Sequence, residues 1–503
     1  MAKSRDRHWP AKSFTPFTAT EFKRDFVCAM HGLCTQHIYM RTMQTWKPDI
    51  ESFSGPKYLA IAEAISKDIE AGRLLAGTRL PPQRVLADTL SVDLTTVTRA
   101  YGEAQRLGLI EGDGRRGSFV RQKKVDAPKI SYSEPADTGM NAPPEIPGAL
   151  LAAAFRRSAD ALLTRSDVAA PFQYQPSGGM IVAREAGADL LSARGVPCHD
   201  DTVLVTAGGQ HALHAIVSAE LQPGDTVAVA AYIYPGFQSV ARRYGLRLCV
   251  VASDAEGLVA EALDAACAQG SVRAVYVVPT NDNPTTATMG VDRRKAIATV
   301  AEQHGLIVIE DDAYGLLPER PLPPIASFAE DRTWHIASVS KILSPGLRIA
   351  WLRAPTVAQA WRLAADVHET AIMAPPLNAA VVADWIGSGV FQQLTNAVRV
   401  EAQARQAIVA KFLDPQGFQS QPEGYHLWMP LPADANPGEI VNTLRPHGLS
   451  VVGAEVFAVD RTSVSPALRV SIGGTLPRER LERGLRLLGA MTAPNATRKI
   501  SLV

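Results

Sequence analysis

Between residues 55 and 122 the apolar positions recur first at helical and then at strand spacing. In "YLAIAEAISKDIEAGRL", Leu59, Ile61, Ala62, Ile65 and Ile69 mark one helical face, closed by Gly72. "GTRLPPQRVLADTL" reads as a turn and a second, short helix. "SVDLTTVTRAYGEAQRLGLI" begins with Asp93 as an N-cap and runs amphipathically to Gly108. "GLIEGDGRRGSFVRQ" is two short strand-like runs around a Gly-rich turn. Farther along, strand-length apolar runs ("DTVLVTAGG", "DTVAVAAY", "LRLCVVASD", "VRAVYVVPT", "LIVIEDD", "WHIASVSK") alternate with helical stretches. That rhythm predicts an α/β domain with a mostly parallel sheet. From about residue 390 longer helices precede the strands "YHLWMPLP" and "ALRVSIGG", a smaller C-terminal α+β subdomain.

Three helices followed by a hairpin is the layout of a winged helix-turn-helix. Charge sharpens that reading. The whole chain carries +1, but residues 53–124 hold twelve Lys/Arg against eight Asp/Glu, an excess placed where a polyanion would bind. At 503 residues, 46% hydrophobic and 20% charged, the chain is globular and too long for one ordinary domain. The expected division is an extension over 1–50, a DNA-binding head over 53–122, a linker over 123–138 and a large body over 139–495. The extension is expected to be poorly ordered, or to precede a native start at Met40 or Met43. "RQKKVDAPKISYSEPADTGMNAPPEIP" is rich in Pro, Asp and Ser, which suits a semi-extended connection. Five scattered cysteines without metal-ligand spacing suggest reduced thiols in a cytoplasmic protein. No apolar run approaches the roughly 20 residues that cross a bilayer, and no secretory signal is evident.

In an open α/β sheet, ligands bind beyond the carboxyl ends of the strands, and the polar motifs fall there. "SVSKILSPGLRIAW" puts Lys341 after a strand, with Ser338, Ser340 and Arg348 as phosphate donors. "TAGGQHAL" is a strand, a glycine pair and a helix start, where the N–H groups of Gly209 and Gln210 can cradle the same phosphate. Asp311 in "IEDDAYG" can face a pyridine nitrogen, Asn283 precedes a proline at another strand end, and Tyr234 in "YIYPGF" offers a flat ring. A lone lysine at a strand end is more often a surface charge. Together these residues describe a site for pyridoxal 5'-phosphate (PLP).

The block from about 139 to 490 resembles the fold type I, class I/II aminotransferases, with "SVSKILSPGLRIAW" similar to their SxSKxxxPGxRxG motif. The resemblance implies an aldimine at Lys341. It implies phosphate contacts from Ser338, Ser340, Arg348, Gly209 and Gln210, and from Tyr174 of a partner subunit. Asp311 would face the pyridine nitrogen, Tyr314 and Asn283 the ring hydroxyl, Tyr234 the ring face and Arg469 a substrate carboxylate. Thr286, Ala350 and Ala230 depart from the family pattern. Residues 55–122 resemble the GntR-type winged helix, with "LPPQRVLADTL" similar to its LPSxRxLA helix. That implies DNA contacts from Arg84, from the start of the recognition helix (Asp93 to Thr98) and from the wing Gly117; Thr95 and Thr96 can contact phosphates or bases, and Arg99, Arg115 and Arg116 can supply backbone or minor-groove contacts. Leu94 and Thr98 stand where some relatives carry arginines, which reduces arginine readout of guanine. This domain order is similar to the MocR subfamily of GntR-type transcription regulators. It implies a double-stranded DNA operator, a small amino effector or vitamin B6 form, and a homodimer whose linker is long enough for a domain swap. An active aminotransferase carrying a DNA-binding head is the alternative. A PLP-sensing or storage protein that reads no specific DNA is a third.

Overall fold

A computed structural model describes residues 46–50, 55–75, 77–112, 117–121, 139–164, 170–462 and 464–493. The expected linker over 123–138 and nearly all of the expected extension lie outside them. The chain divides into two compact units, Met1–Tyr132 and Ser133–Val503.

In the first unit, α1 (Lys57–Glu70), α2 (Gln83–Leu90) and α3 (Leu94–Arg106) precede the antiparallel pair β1 (Ile110–Gly112) and β2 (Ser118–Val120). Ile61 and Ile65 of α1 meet Leu86, Val97, Tyr101 and Val120 in one core. Leu59 is 40% exposed and faces away from that core, although its spacing placed it on the apolar stripe. Trp46 and Ile50, within the stretch assigned to the extension, pack against the same core, and Trp46 Nε1 donates to Asp68 at 2.7 Å. The head therefore begins before residue 53. Asp93 caps α3, its carboxylate accepting from Thr95 N–H at 2.8 Å.

The second unit is built on a seven-stranded sheet. Its strands are β3 (Val203–Thr206), β4 (Thr226–Val229), β5 (Arg247–Val250), β6 (Val272–Val277), β7 (Ile307–Asp311), β8 (Thr333–Ser338) and β9 (Ala350–Arg353). Their spatial order is β3-β9-β8-β7-β6-β4-β5. β9 runs antiparallel to both its neighbours, and the other pairings are parallel. Both faces are covered, which is why these strands read as continuous apolar runs. Leu204, Ile336 and Leu352 pack against the helices Gly209–Glu220 and Val357–Ala371. Alternate residues Val205, Ala337 and Trp351 pack on the opposite face with the helices Ile181–Ser192 and Pro376–Ser388. A second antiparallel sheet, from β10 (Gln419–Ser420), β11 (His426–Pro430), β12 (Ser450–Gly453) and β13 (Ala467–Ser471), forms the C-terminal subdomain in the order β10-β11-β13-β12. Among the described residues no helix is long and apolar enough to cross a membrane.

The packing of the helix Ile181–Ser192 on β9 depends on a glycine. Trp351 Nε1 donates to Ala183 O at 2.8 Å, and a Cβ on Gly187 would lie 2.1 Å from Trp351 Cδ1. Gly187→Ala must therefore displace a fully buried indole, and should lower unfolding free energy by about 1–3 kcal/mol. An unchanged denaturant midpoint for the body would contradict this packing.

Candidate cofactor site and DNA-binding head

β8 delivers the central lysine. At its end Ser338 Oγ accepts from Ser340 N–H at 3.3 Å, and this tight turn carries Lys341 to the floor of a cleft. Lys341 Nζ donates to Asn141 O at 2.5 Å. Burial, assisted by the positive field of Arg469, lowers its pKa to about 8, while Asp311 opposes the shift. Asp311 ends the neighbouring β7, where burial pushes its carboxyl up to about 6. Tyr276 on β6 donates to Asp311 Oδ2 at 3.0 Å and fixes its orientation. Tyr234 caps the helix Pro235–Arg243; its hydroxyl is raised by burial and by the field of Asp311, which sets it in the same cleft.

The remaining candidates converge from both sheets. Asn283 Oδ1 accepts from Arg469 Nη1 at 3.1 Å, which joins the loop after β6 to β13. The Tyr314 hydroxyl accepts from Asn141 Nδ2 at 2.9 Å. Gly208 has φ +89, and a Cβ there would lie 2.6 Å from Arg348 Nη2. Arg348 Nη2 donates to Ala207 O at 2.7 Å, and so lies across the start of the helix Gly209–Glu220. Ser340 Oγ and Gln210 Oε1 are buried without partners, and the Gln210 amide donates to Gly236 O at 3.2 Å. A guanidinium at a helix N-terminus and an unpaired buried hydroxyl, that of Ser340, are groups of the kind that take a phosphate. A Cβ on Gly209 would come within 3.9 Å of both Asp311 Oδ1 and Ser338 Cβ, so helix start and carboxylate are adjacent. Tyr174 is 80% exposed. Thr286 adopts φ +63, a left-handed conformation that a β-branched residue rarely takes, in place of the family's glycine.

Sequence reasoning missed the residue that ties these parts together. Asn141 lies in a Pro-rich stretch without secondary structure, yet its backbone carbonyl holds Lys341 and its amide reaches Tyr314 and His426. His426 Nε2 lies 3.0 Å from Asp282 O, an acceptor, and Nδ1 lies 3.1 Å from Asn141 Nδ2, a donor. The ring is thus neutral with its proton on Nε2, and burial depresses its pKa to about 3. Tyr425 donates to Lys341 O at 2.7 Å, and Phe457 lies under the Arg469 guanidinium at 5.1 Å. No local motif marks any of them.

In the head, Arg84 is exposed on α2, and the exposed Asp93, Thr95 and Thr98 gather at the start of α3. Thr98 Oγ1 donates within the head, to Gln83 Oε1 at 2.9 Å, and Arg99 sits 4.4 Å above the Tyr58 ring. Thr96 is half-buried. Gly117 takes φ +110 beside Arg79, so the wing turns on a glycine. Arg115 and Arg116 lie outside the described residues.

Comparison with known proteins follows the same division. Residues 148–488 match aminotransferase class I and II, whose members are PLP-dependent. Residues 57–120 match the bacterial regulatory proteins of the gntR family, a DNA-binding head. The HTH-type transcriptional regulator YdeF of Bacillus subtilis is 30% identical over 88% of this chain and 96% of its own length. The HTH-type pyridoxine biosynthesis transcriptional regulator PdxR of Corynebacterium glutamicum is 28% identical over 78% of this chain and 86% of its own. Among solved structures, the body is similar to LysN, the α-aminoadipate aminotransferase of Thermus thermophilus, complexed with N-(5'-phosphopyridoxyl)-L-leucine. There the identity is 26% and the TM-score 0.62, over 70% of this chain and 90% of that one. The chain therefore belongs to the MocR family of HTH-type transcriptional regulators, a GntR-type DNA-binding head joined to a class I and II aminotransferase body.

Proposed function

We propose that this regulator holds PLP at Lys341 and uses it to sense an amino compound or a vitamin B6 form on behalf of a DNA operator. The carrying observation is the cluster of Lys341, Asp311 and Arg348 with the unpartnered buried hydroxyl of Ser340, in a chain that carries a GntR-type head. The donor set fits the cofactor. Ser338, Ser340, Gly209, Gln210 and Arg348 would bind its phosphate, and Tyr174 of a second subunit would complete that shell. Asp311 would keep the ring nitrogen protonated, and gains a cationic partner that offsets its burial. Asn283 and Tyr314 would bind the ring hydroxyl, Tyr234 would cover a ring face, and Arg469 would take an effector carboxylate. PLP supplies an electron-accepting carbonyl to which primary amines add. The similarity to PdxR, a pyridoxine biosynthesis regulator, favours a B6 form among the effectors.

A homodimer is supported by exposed apolar side chains on one stretch. Phe172, Tyr174, Ile181 and Val182 lie there, and its backbone meets Met373 Sδ at 3.4 Å. DNA contacts are assigned to Arg84, Asp93, Thr95, Thr96, Thr98 and Arg99 and to the wing with Arg115, Arg116 and Gly117. The depressed pKa of Lys341 and its position between Asp311 and Arg469 favour one second reading, a working aminotransferase.

Three outcomes test this. Lys341→Ala should abolish the visible cofactor band of the purified protein; a retained band removes Lys341 from its role. Arg84→Ala should weaken operator binding by roughly 1–3 kcal/mol, the range for an arginine contact to DNA, without changing PLP content. Unchanged DNA affinity would count against the second helix as a contact. Turnover with amino donors and 2-oxo acids should stay below about 1 s⁻¹, and sustained faster turnover selects the enzyme. The pH dependence is also set. Lys341 loses its proton near 8 instead of 10.5, so the neutral amine grows as pH rises through 8. Uptake of PLP by cofactor-free protein should accelerate with a midpoint near pH 8, and an acceleration that begins only near 10.5 would contradict the enclosed lysine.

A further inference from the structure

A cavity of about 290 Å³ is bordered by Asn281, Tyr314, Arg320, Glu423 and Gly424. Its chemistry is set by Asn281. This residue has φ +49 and is 4% exposed, and neither its Oδ1 nor its Nδ2 has a hydrogen-bond partner. Buried amides are almost always paired, so a doubly unpaired one marks a place where an occupant supplies the partners. The backbone holds it there: Asn281 N–H donates to Thr288 Oγ1 at 2.9 Å. The adjoining wall is rigid, because the fully buried Arg294 donates to Met289 O at 2.9 Å, Pro279 O at 2.9 Å and Thr280 Oγ1 at 3.1 Å. Gly424 keeps the amide open, since a Cβ there would stand 3.2 Å from both of its polar atoms.

An amide presents one donor and one acceptor side by side. The matching group is another cis amide edge, above all a primary carboxamide. Charge at the rim adds a second feature. Glu423 is engaged by Arg399 at 3.6 Å and by Glu319 N–H at 3.0 Å, whereas Arg320 is exposed and has no ion-pair partner among the described residues. The free positive charge suits a carboxylate.

We propose that this cavity binds a small carboxylic acid bearing a carboxamide, with the carboxamide paired to Asn281 and the carboxylate to Arg320. The site is separate from Lys341 and needs no primary amine in its ligand. It shares Tyr314 with the cofactor cleft, and Asn281 stands two residues before Asn283. Occupancy therefore reaches the ring-hydroxyl contacts through one side chain and one turn of backbone.

Succinamate, which lacks a primary amine, is the probe. Calorimetric titration of full-length, cofactor-loaded protein should show one saturable site per chain. Asn281→Asp keeps a residue type that tolerates the left-handed backbone but replaces the donor with an anion. Arg320→Ala removes an exposed charge. Each should weaken succinamate at least about ten-fold while the cofactor band stays unchanged. If Asn281→Asp fails to fold, Arg320→Ala decides alone. The proposal is overturned if wild-type protein shows no saturable binding, if the folded variants bind as wild type does, or if succinate, without the carboxamide, binds as tightly as succinamate.

Discussion

An amine enclosed between two sheets is the constraint on which the body depends. Lys341 is half-buried, and that burial together with Arg469 favours its neutral form. Asn141 O and the field of Asp311 oppose that loss. To present these groups, three parallel strands must end together. β6 brings Tyr276, β7 brings Asp311 and β8 brings Lys341. Deeper in the sheet, Glu310 accepts from Ile325 N–H at 2.6 Å, Ala326 N–H at 3.0 Å and His335 Nδ1 at 2.9 Å. The buried pair Arg194–Asp312, at 2.5 Å, stands beside Asp311. These fully buried polar contacts tie β7 to its surroundings and hold the register at which its acid emerges.

The cleft is shared between the large sheet and the C-terminal subdomain. Arg469 and His426 come from the smaller sheet, and Asn283, Asp311 and Lys341 from the larger. Asn141 bridges them, with hydrogen bonds to Lys341, Tyr314 and His426. A ligand that bonds to both sheets favours one relation between them. In the proposed function this is the source of regulation, since a ligand shifts an equilibrium only by its differential affinity for the two states.

The fold class was legible because both periodicities are strong: helical in the head, strand-length and doubly apolar in the body. Lys341, Ser338, Ser340 and Arg348 were legible as a group because eleven residues of chain hold them all. Asp311 and Asn283 were legible from their places at strand ends. Asn141 was not, since its role comes from a contact 200 residues away, made largely by a backbone carbonyl that any residue carries. His426 reads as a lone histidine in an apolar strand, and only the two neighbours on its ring reveal its tautomer. Leu59 was misplaced because helical spacing alone does not say where a stripe ends. Trp46 and Ile50 lack any periodicity, and only tertiary packing assigns them to the head. Asn281 sits beside the legible Asn283, but its unpaired amide is visible only in three dimensions.

The central claim is that one small molecule at Lys341 and one operator at the head bias the same equilibrium. Reciprocity follows for any such pair of binding sites. The direct measurement is effector affinity, read from the cofactor absorbance, with and without saturating operator, beside operator affinity with and without saturating effector. The two ratios should be equal and differ from one, by about 5- to 150-fold for ordinary coupling. Ratios of one in both directions, for an effector that clearly perturbs the cofactor, would contradict the claim that the aminotransferase body works as the sensor of the DNA-binding head.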